Sequence, residues 1–218
     1  MSFGLSRGRS LDTSGFGYDR EDLPPFEDGR LDPRAWFEHP QRPFELEIGS
    51  GKGTFLVQQA VLQPETNFLG IEWAAEFYRY AADRLRRNQC TNVRILHDDA
   101  VQFVTYRLPE SVCNTVHLYF SDPWPKARHH KRRVIQDATL EQFHRILVSE
   151  GLLHVVTDHV DLWAWCEEHV ARAAHLFERM PFAPPPSAGP DEVVGTNFER
   201  KYQREGRPFN AMTLRRTP

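Results

Sequence analysis

The residues that could do chemistry gather in two short stretches. In the first, Glu47-Ile48-Gly49-Ser50-Gly51-Lys52-Gly53, an acid stands two positions ahead of three alternating glycines. Glycines between a strand and a helix let backbone close on a nucleotide-like ligand. A phosphate-binding P-loop would need glycine at Leu46 and serine or threonine at Gly53, so that reading fails. A dinucleotide fingerprint needs G-x-G-x-x-G where this loop has G-x-G-x-G, so that match is weak. The second stretch is Tyr119-Phe120-Ser121-Asp122-Pro123-Trp124-Pro125-Lys126, followed by Ala127-Arg128-His129-His130-Lys131-Arg132-Arg133. Two prolines stiffen the loop, Trp124 offers a flat face and Asp122 a carboxylate. From Lys126 to Arg133 there are five fixed positive charges and no acid until Asp137. Such a patch suggests phosphate contacts, against the plainer alternative of a solvated basic surface.

The elements that must position these residues follow from periodicity. Short β-branched or aromatic runs, Phe44 to Ile48, Asn67 to Ile71, Asn92 to His97, Thr115 to Phe120 and Leu152 to Thr157, alternate with amphipathic stretches. Ala74, Phe77, Tyr78, Ala81 and Leu85 make one helical face, as do Leu140, Phe143, Ile146 and Leu147, and later Leu162, Trp165, Cys166, His169, Val170 and Ala173. This pattern predicts a doubly wound α/β fold with a mainly parallel sheet, and ligands bind such sheets at the carboxyl ends of their strands. Both chemical stretches fall at those ends. Glu72, closing the second strand, could accept hydrogen bonds from a ribose diol, and Asp99, after the third, could meet an adenine; the plainer alternative, that each merely caps the helix that follows, weakens when they are taken together with the glycine loop. Pro181 to Pro190 reads as a loop, and Pro208 to Leu214 as a closing strand after a short helical segment.

Composition narrows the classes. A chain of 218 residues with 40% hydrophobic and 26% charged content can bury a core of its own and is read as one domain. No segment reaches the roughly 18 apolar residues of a membrane helix, and Met1 to Arg20, without an apolar run, reads as a mobile tail rather than an export signal. Residues 1 to 43 are therefore expected to be tail and lead-in, and 44 to 218 the functional domain. Cys90, Cys113 and Cys166 are far apart and form no metal or redox pair, which suits a cytoplasmic protein. Ten histidines include no H-E-x-x-H helix, so no metal is expected, and Cys166 with His169 reads as packing. A net charge of −3 confines any nucleic-acid contact to a local patch.

Asp122-Pro-Trp-Pro-Lys126 with its basic continuation closely resembles the signature of the bacterial tRNA (guanine-N7)-methyltransferases, and the acid ahead of the glycine loop resembles motif I of class I methyltransferases. The resemblance extends through Gly70-Ile71-Glu72, Asp99, Thr157-Asp158 and Thr196-Asn197-Phe198-Glu199, covering about residues 44 to 214. Ser121 departs from it, standing where the family commonly has proline. The resemblance implies a class I (Rossmann-like) methyltransferase fold and S-adenosyl-L-methionine as cofactor. Glu47, Gly49, Gly51, Glu72, Asp99 and Asp122 would line the cofactor site, with Asp122 also catalytic. Lys126, Asp158, Thr196, Asn197, Phe198 and Glu199 would contact the substrate, and Arg128, His129, His130, Lys131, Arg132 and Arg133 would meet the tRNA.

Guanine N7 has a lone pair and no proton, so attack on a sulfonium methyl needs no base. Positioning should dominate, with Asp122 either stabilising positive charge on the purine or holding the guanine N1 and amino edge. Asp158 could hold the guanine edge or cap a helix, and Thr196 with Glu199 also fits a capping box. Rival readings are a methyltransferase for another RNA base, an RNA-binding module without catalysis, and a nicotinamide dehydrogenase. Monomer and homodimer stay open.

Overall fold

The computed structural model describes residues 10–218, apart from the side chains of Phe26, Asn197 and Phe198. The chain separates into two compact units, divided between Leu108 and Pro109. In the first, four parallel strands stand in the order β1 (Gly17–Asp19), β4 (Val93–His97), β3 (Asn67–Glu72), β2 (Phe44–Ile48). Helices α1 (Thr54–Leu62), α2 (Ala75–Arg87) and α3 (Ala100–Tyr106) follow β2, β3 and β4 in turn. Every residue of β3 is buried, as expected of a parallel strand covered on both faces. Helix α2 turns Tyr78, Ala81, Ala82 and Leu85 inward and carries Arg84, Arg86 and Arg87 in its last turn, where cations complement the helix dipole.

The tail expectation is corrected by β1. Residues 17 to 19 pair with Ile95 to His97, and Tyr18 stacks on Trp36 at 4.1 Å between ring centroids. A Cβ on Gly17 would come within 2.6 Å of the Tyr78 hydroxyl, so glycine is what lets this edge strand lie down. Three residues give too short a pattern for periodicity to detect. Met1 to Arg9, the rest of the expected tail, lies outside the described residues.

In the second unit β5 (Cys113–Tyr119) runs parallel to β6 (Leu147–Thr157), while β8 (Asn210–Arg216) is antiparallel to both β6 and β7 (Phe177–Met180). Helices α4 (Asp137–Ile146), α5 (Val160–Arg172) and α6 (Asn197–Arg204) connect them. Leu147, expected in a helix, starts β6 instead. The five added residues carry a register shift against β5 and Glu150 at φ 62°, irregularities that hide a strand from a period-two search. Pro181 to Pro190 holds no helix or strand, as expected. The fold is of the α/β, mainly parallel class read from the sequence. Among the described residues no helix is long and apolar enough to cross a membrane.

A buried polar row crosses the strands of this unit. The His117 and His154 rings stack at 5.5 Å, His154 Nδ1 lies 2.9 Å from the Thr213 hydroxyl, and His117 Nδ1 lies 2.8 Å from that of Tyr119. Burial, helped by the charge of His117, pushes the His154 imidazole down to about 3. An unfolded chain takes up that proton near 6.5 and the folded one does not, so stability falls as pH drops from 6.5 toward 3. Thermal melts between pH 7 and pH 4 should therefore show a smaller decline for His154→Gln than for the wild type; parallel declines would remove His154 as the cause.

Candidate active site

The glycine loop is held from below by β3. Gly49 and Ser50 donate their N–H groups to the Ile71 carbonyl at 2.8 and 3.2 Å. Glu72 accepts the N–H of Gly51 and of Ala74, each at 2.8 Å, so its carboxylate ties the loop to the start of α2. Gly49, Gly51 and Gly53 all have positive φ, which side chains resist. A Cβ on Gly49 would meet nothing within 4 Å, leaving room for a ligand against the backbone. Gly70 enters the sequence reading only as part of a motif, and its role is steric: a Cβ there would stand 2.4 Å from Ser50 Oγ and 2.5 Å from Leu56 Cδ1. Glycine inside an otherwise apolar strand is the signal that announces such close approach.

Glu47, at the end of β2, is 5% exposed, and its Oε2 is buried with no hydrogen-bond partner. Desolvation, reinforced by the negative charge of Glu72, pushes its carboxyl up to about 8. An acid with one orphaned oxygen beside open glycine backbone suits a ligand that brings a cationic amine, which would restore both the missing bond and the charge. Asp99 caps α3, accepting the Gln102 N–H at 3.0 Å through Oδ1. The capping alternative is thus realised for Asp99, while Glu72 pins the loop.

In the second unit β5 ends abruptly. Phe120 and Trp124 have φ of 53° and 44°, left-handed values that cost a bulky residue about 1–3 kcal/mol each. Phe120 is held by its N–H to the Val156 carbonyl at 2.8 Å and by edge contacts with Tyr202 and Phe209. Asp122 and Lys126 are exposed. The basic run forms a 3-10 turn, Ala127–Arg132, which packs back on the loop: the Arg132 guanidinium lies 4.9 Å from the Trp124 ring centroid and His129 meets that ring edge-on.

The run is not uniformly exposed: of its expected RNA contacts, Arg133 is buried and His130 half-buried. Arg133 is 1% exposed; its Nε donates to the Pro123 carbonyl at 2.9 Å, its terminal amine to Asp161, and its guanidinium carbon lies over the Trp165 ring, 5.0 Å from the centroid. His130 packs against Trp165 with its Nε2 buried. Arg128, Lys131 and Arg132 remain exposed. Burial here is set by Trp165, more than thirty positions along the chain, which no local pattern reveals.

Asp158 follows β6, beside the strand end that carries Asp122. It does not cap α5, since His159 does so by accepting the Leu162 N–H. Arg207 instead donates to Asp158 Oδ2 at 2.7 Å while lying 4.3 Å from the Tyr202 ring centroid. Sequence reasoning missed Arg207. Thr196 caps α6 by accepting the Glu199 N–H, and the fully buried Glu199 carboxylate accepts the N–H groups of Val193, Val194 and Gly195. Glu199 thus holds the turn that precedes α6. The side chains of Asn197 and Phe198 lie outside the described residues. Among the described residues no three His, Cys, Asp or Glu groups are placed to hold a metal ion.

A family model described as "Putative methyltransferase" matches residues 41–212. A tRNA (guanine-N(7)-)-methyltransferase of Corynebacterium diphtheriae is 38% identical over 182 residues, 83% of this chain and 70% of that protein. Its namesake from Chromohalobacter salexigens is 37% identical over 187 residues, 82% and 73% of the two chains. The chain belongs to the tRNA (guanine-N7)-methyltransferase family. Solved structures agree on the fold of this family member: the aminoglycoside resistance methyltransferase NpmB1 superposes with a TM-score of 0.55 at 19% identity, covering 81% of this chain and 88% of its own. A precorrin-6y C5,15-methyltransferase from Geobacter metallireducens gives 0.52 at 14%, covering 79% of each. The fold is thus the Rossmann-like type of class I methyltransferases.

Glu47 makes the glycine loop of this methyltransferase testable without any ligand. Its folded carboxyl ionises near 8, well above an unfolded glutamate, so the stability it contributes is full at low pH and is lost as pH rises through 8. Glu47→Gln should melt within a degree or so of the wild type at pH 5 and several degrees above it at pH 8.5. A gap that stays constant with pH would show that Glu47 is ionised in the free protein.

Proposed function

We propose that this chain transfers a methyl group from S-adenosyl-L-methionine to N7 of a guanine in the variable loop of tRNA, and that it works in the cytoplasm. The observation that carries this reading is an exposed carboxylate on a strained, proline-flanked loop with an exposed cationic turn packed against it, in a chain whose relatives are named for that reaction. The cofactor would supply an electrophilic methyl on a sulfonium. Glu47 would take its amino end, the orphaned Oε2 accepting an ammonium N–H, while Gly49 admits it against backbone. Glu72, whose carboxylate accepts the N–H groups of Gly51 and Ala74, would stand beside the ribose. Asp99 would stand near the adenine while capping α3.

Asp122 has no proton to remove from N7. Its work is electrostatic: a carboxylate on a rigid loop favours the cationic purine over the neutral one, so it acts on the transition state and product. Asp158 would accept the N1–H and amino protons of guanine through the oxygen that Arg207 does not engage. Lys126, Arg128, Lys131 and Arg132, with His129 beside them, would meet phosphates, a contact that needs charge and not sequence.

Incubation with labelled cofactor and unmodified tRNA, followed by mass spectrometry of nucleosides, should yield 7-methylguanosine; label on another base would overturn the acceptor. Asp122→Asn should lower kcat by about 10²–10³-fold with cofactor affinity unchanged. Reversing Arg128, Lys131 and Arg132 together to Glu should weaken tRNA binding at least about 100-fold and flatten its salt dependence, with the cofactor bound as before. Full turnover in the first variant, or full tRNA affinity in the second, would reject the role given to those residues.

A further inference from the structure

Arg133 has the residue type of an RNA-binding position and the surroundings of a structural one. Its guanidinium is held by three partners: Nε donates to the Pro123 carbonyl, the terminal amine to Asp161 on α5, and the guanidinium carbon lies over the ring of Trp165 on the same helix. Trp165 is itself fixed by donating its indole N–H to the Ile135 carbonyl at 2.7 Å. Gln136 closes the turn from the other side, its amide donating to the carbonyls of Lys131 and Arg133 at 3.1 and 2.7 Å. A phosphate could reach this guanidinium only by unpacking the turn.

What Arg133 grips matters more than that it is buried. The Pro123 carbonyl belongs to the peptide group that leads into Trp124, the residue at φ 44°. Proline fixes its own φ, so pinning its carbonyl fixes the remaining rotation of Pro123 and the plane from which Trp124 departs. That plane is one residue from Asp122. We propose that Arg133 is a positioning residue, a buried clamp anchored on α5 that holds the Pro123–Trp124 peptide in its strained form and so fixes the direction of the Asp122 carboxylate. The inference rests on the catalytic reading of Asp122. The basic run is thereby divided between two roles, with Arg128, Lys131 and Arg132 facing solvent and Arg133 facing the loop. Asp161 completes the clamp, and hydrogen bonding to Arg133 holds its carboxyl below the ordinary aspartate range.

Lysine keeps the charge of Arg133 but cannot donate in two directions from a planar fork, so Arg133→Lys separates charge from geometry. Asp161→Asn, altering an exposed side chain, loosens the clamp without emptying the buried position. Wild type, both single variants and the double variant are assayed in full-length protein for kcat at saturating tRNA and cofactor, for tRNA affinity at several salt concentrations, and for cofactor affinity. The expected result for Arg133→Lys is a fall in kcat of about tenfold, with tRNA affinity, its salt slope and cofactor affinity within twofold of wild type. Asp161→Asn should lose a smaller part of kcat, and the double variant little more than Arg133→Lys alone, because both act through one carbonyl. Three results overturn the clamp: tRNA affinity that weakens in proportion to a lost phosphate contact while kcat holds; a lower melting temperature with kcat per folded molecule unchanged; or losses that multiply in the double variant. A wild-type chain that binds tRNA and cofactor yet transfers no methyl would reject the catalytic reading itself, a result distinct from any of these.

Discussion

A β-strand that ends in a ligand-bearing loop must turn sharply, and sharp turns drive backbone into the left-handed region that side chains resist. The chain meets this constraint in both units and solves it differently in each. After β2 it uses glycine, at positions 49, 51 and 53, and at Gly49 the missing side chain also leaves space against the backbone. After β5 it keeps Phe120 and Trp124, large residues at positive φ, and holds them from outside. The first solution gives a loop shaped to admit something; the second gives a loop that presents side chains in a fixed direction. Strain of this kind persists only where neighbouring groups over-determine the conformation. Val156, Tyr202 and Phe209 do so for Phe120, and Arg133, Arg132 and His129 for the Trp124 loop.

The same logic governs the acids. Glu72 and Glu199 are both buried, and both commit their oxygens to backbone N–H groups of neighbouring turns. Glu47 is buried with an oxygen unused. A carboxylate whose acceptors are filled organises a loop, whereas one left short of a donor is poised for whatever brings one. On that criterion Glu47 is the acid whose surroundings ask for a ligand, and Glu199 the one whose surroundings do not. Asp158 lies between these cases, with one oxygen held by Arg207.

Much of this is legible in the sequence where the physics is local. Period-two and period-3.6 patterns locate β2 to β4 and helices α2 and α5 to within a residue or two, because parallel strands and covering helices bury continuous or striped apolar faces. The turn-forming glycines and the proline-flanked Asp122 are equally visible. What escapes is non-local. Gly17–Asp19 is a strand because β4 offers it an edge, and its own three residues carry no periodicity. The first half of β6 is irregular where it meets β5. Arg133 and Arg132 are adjacent and chemically identical, yet one is buried and one exposed, since Trp165 and Asp161 approach from α5 on one side only. Asp158 reads as a possible cap because acids often are, and the partner that claims it, Arg207, lies 49 positions away.

The division within the basic turn bears on how a chain of net charge −3 could hold a polyanion. A few flexible surface cations would each lose rotamer entropy on meeting phosphate, and the affinity would suffer accordingly. Here the turn is already closed by Gln136 and seated on Trp165 through His130 and Arg133. Arg132 lies over the Trp124 ring and is exposed to solvent. A planar cation can stack and donate at once, which an ammonium cannot. Phosphate could then dock on Arg132 without undoing its contact with the loop, so that the interaction ordering the loop and the one gripping RNA would reinforce each other. The local excess of positive charge is small, and its preorganisation is what would let so few charges suffice.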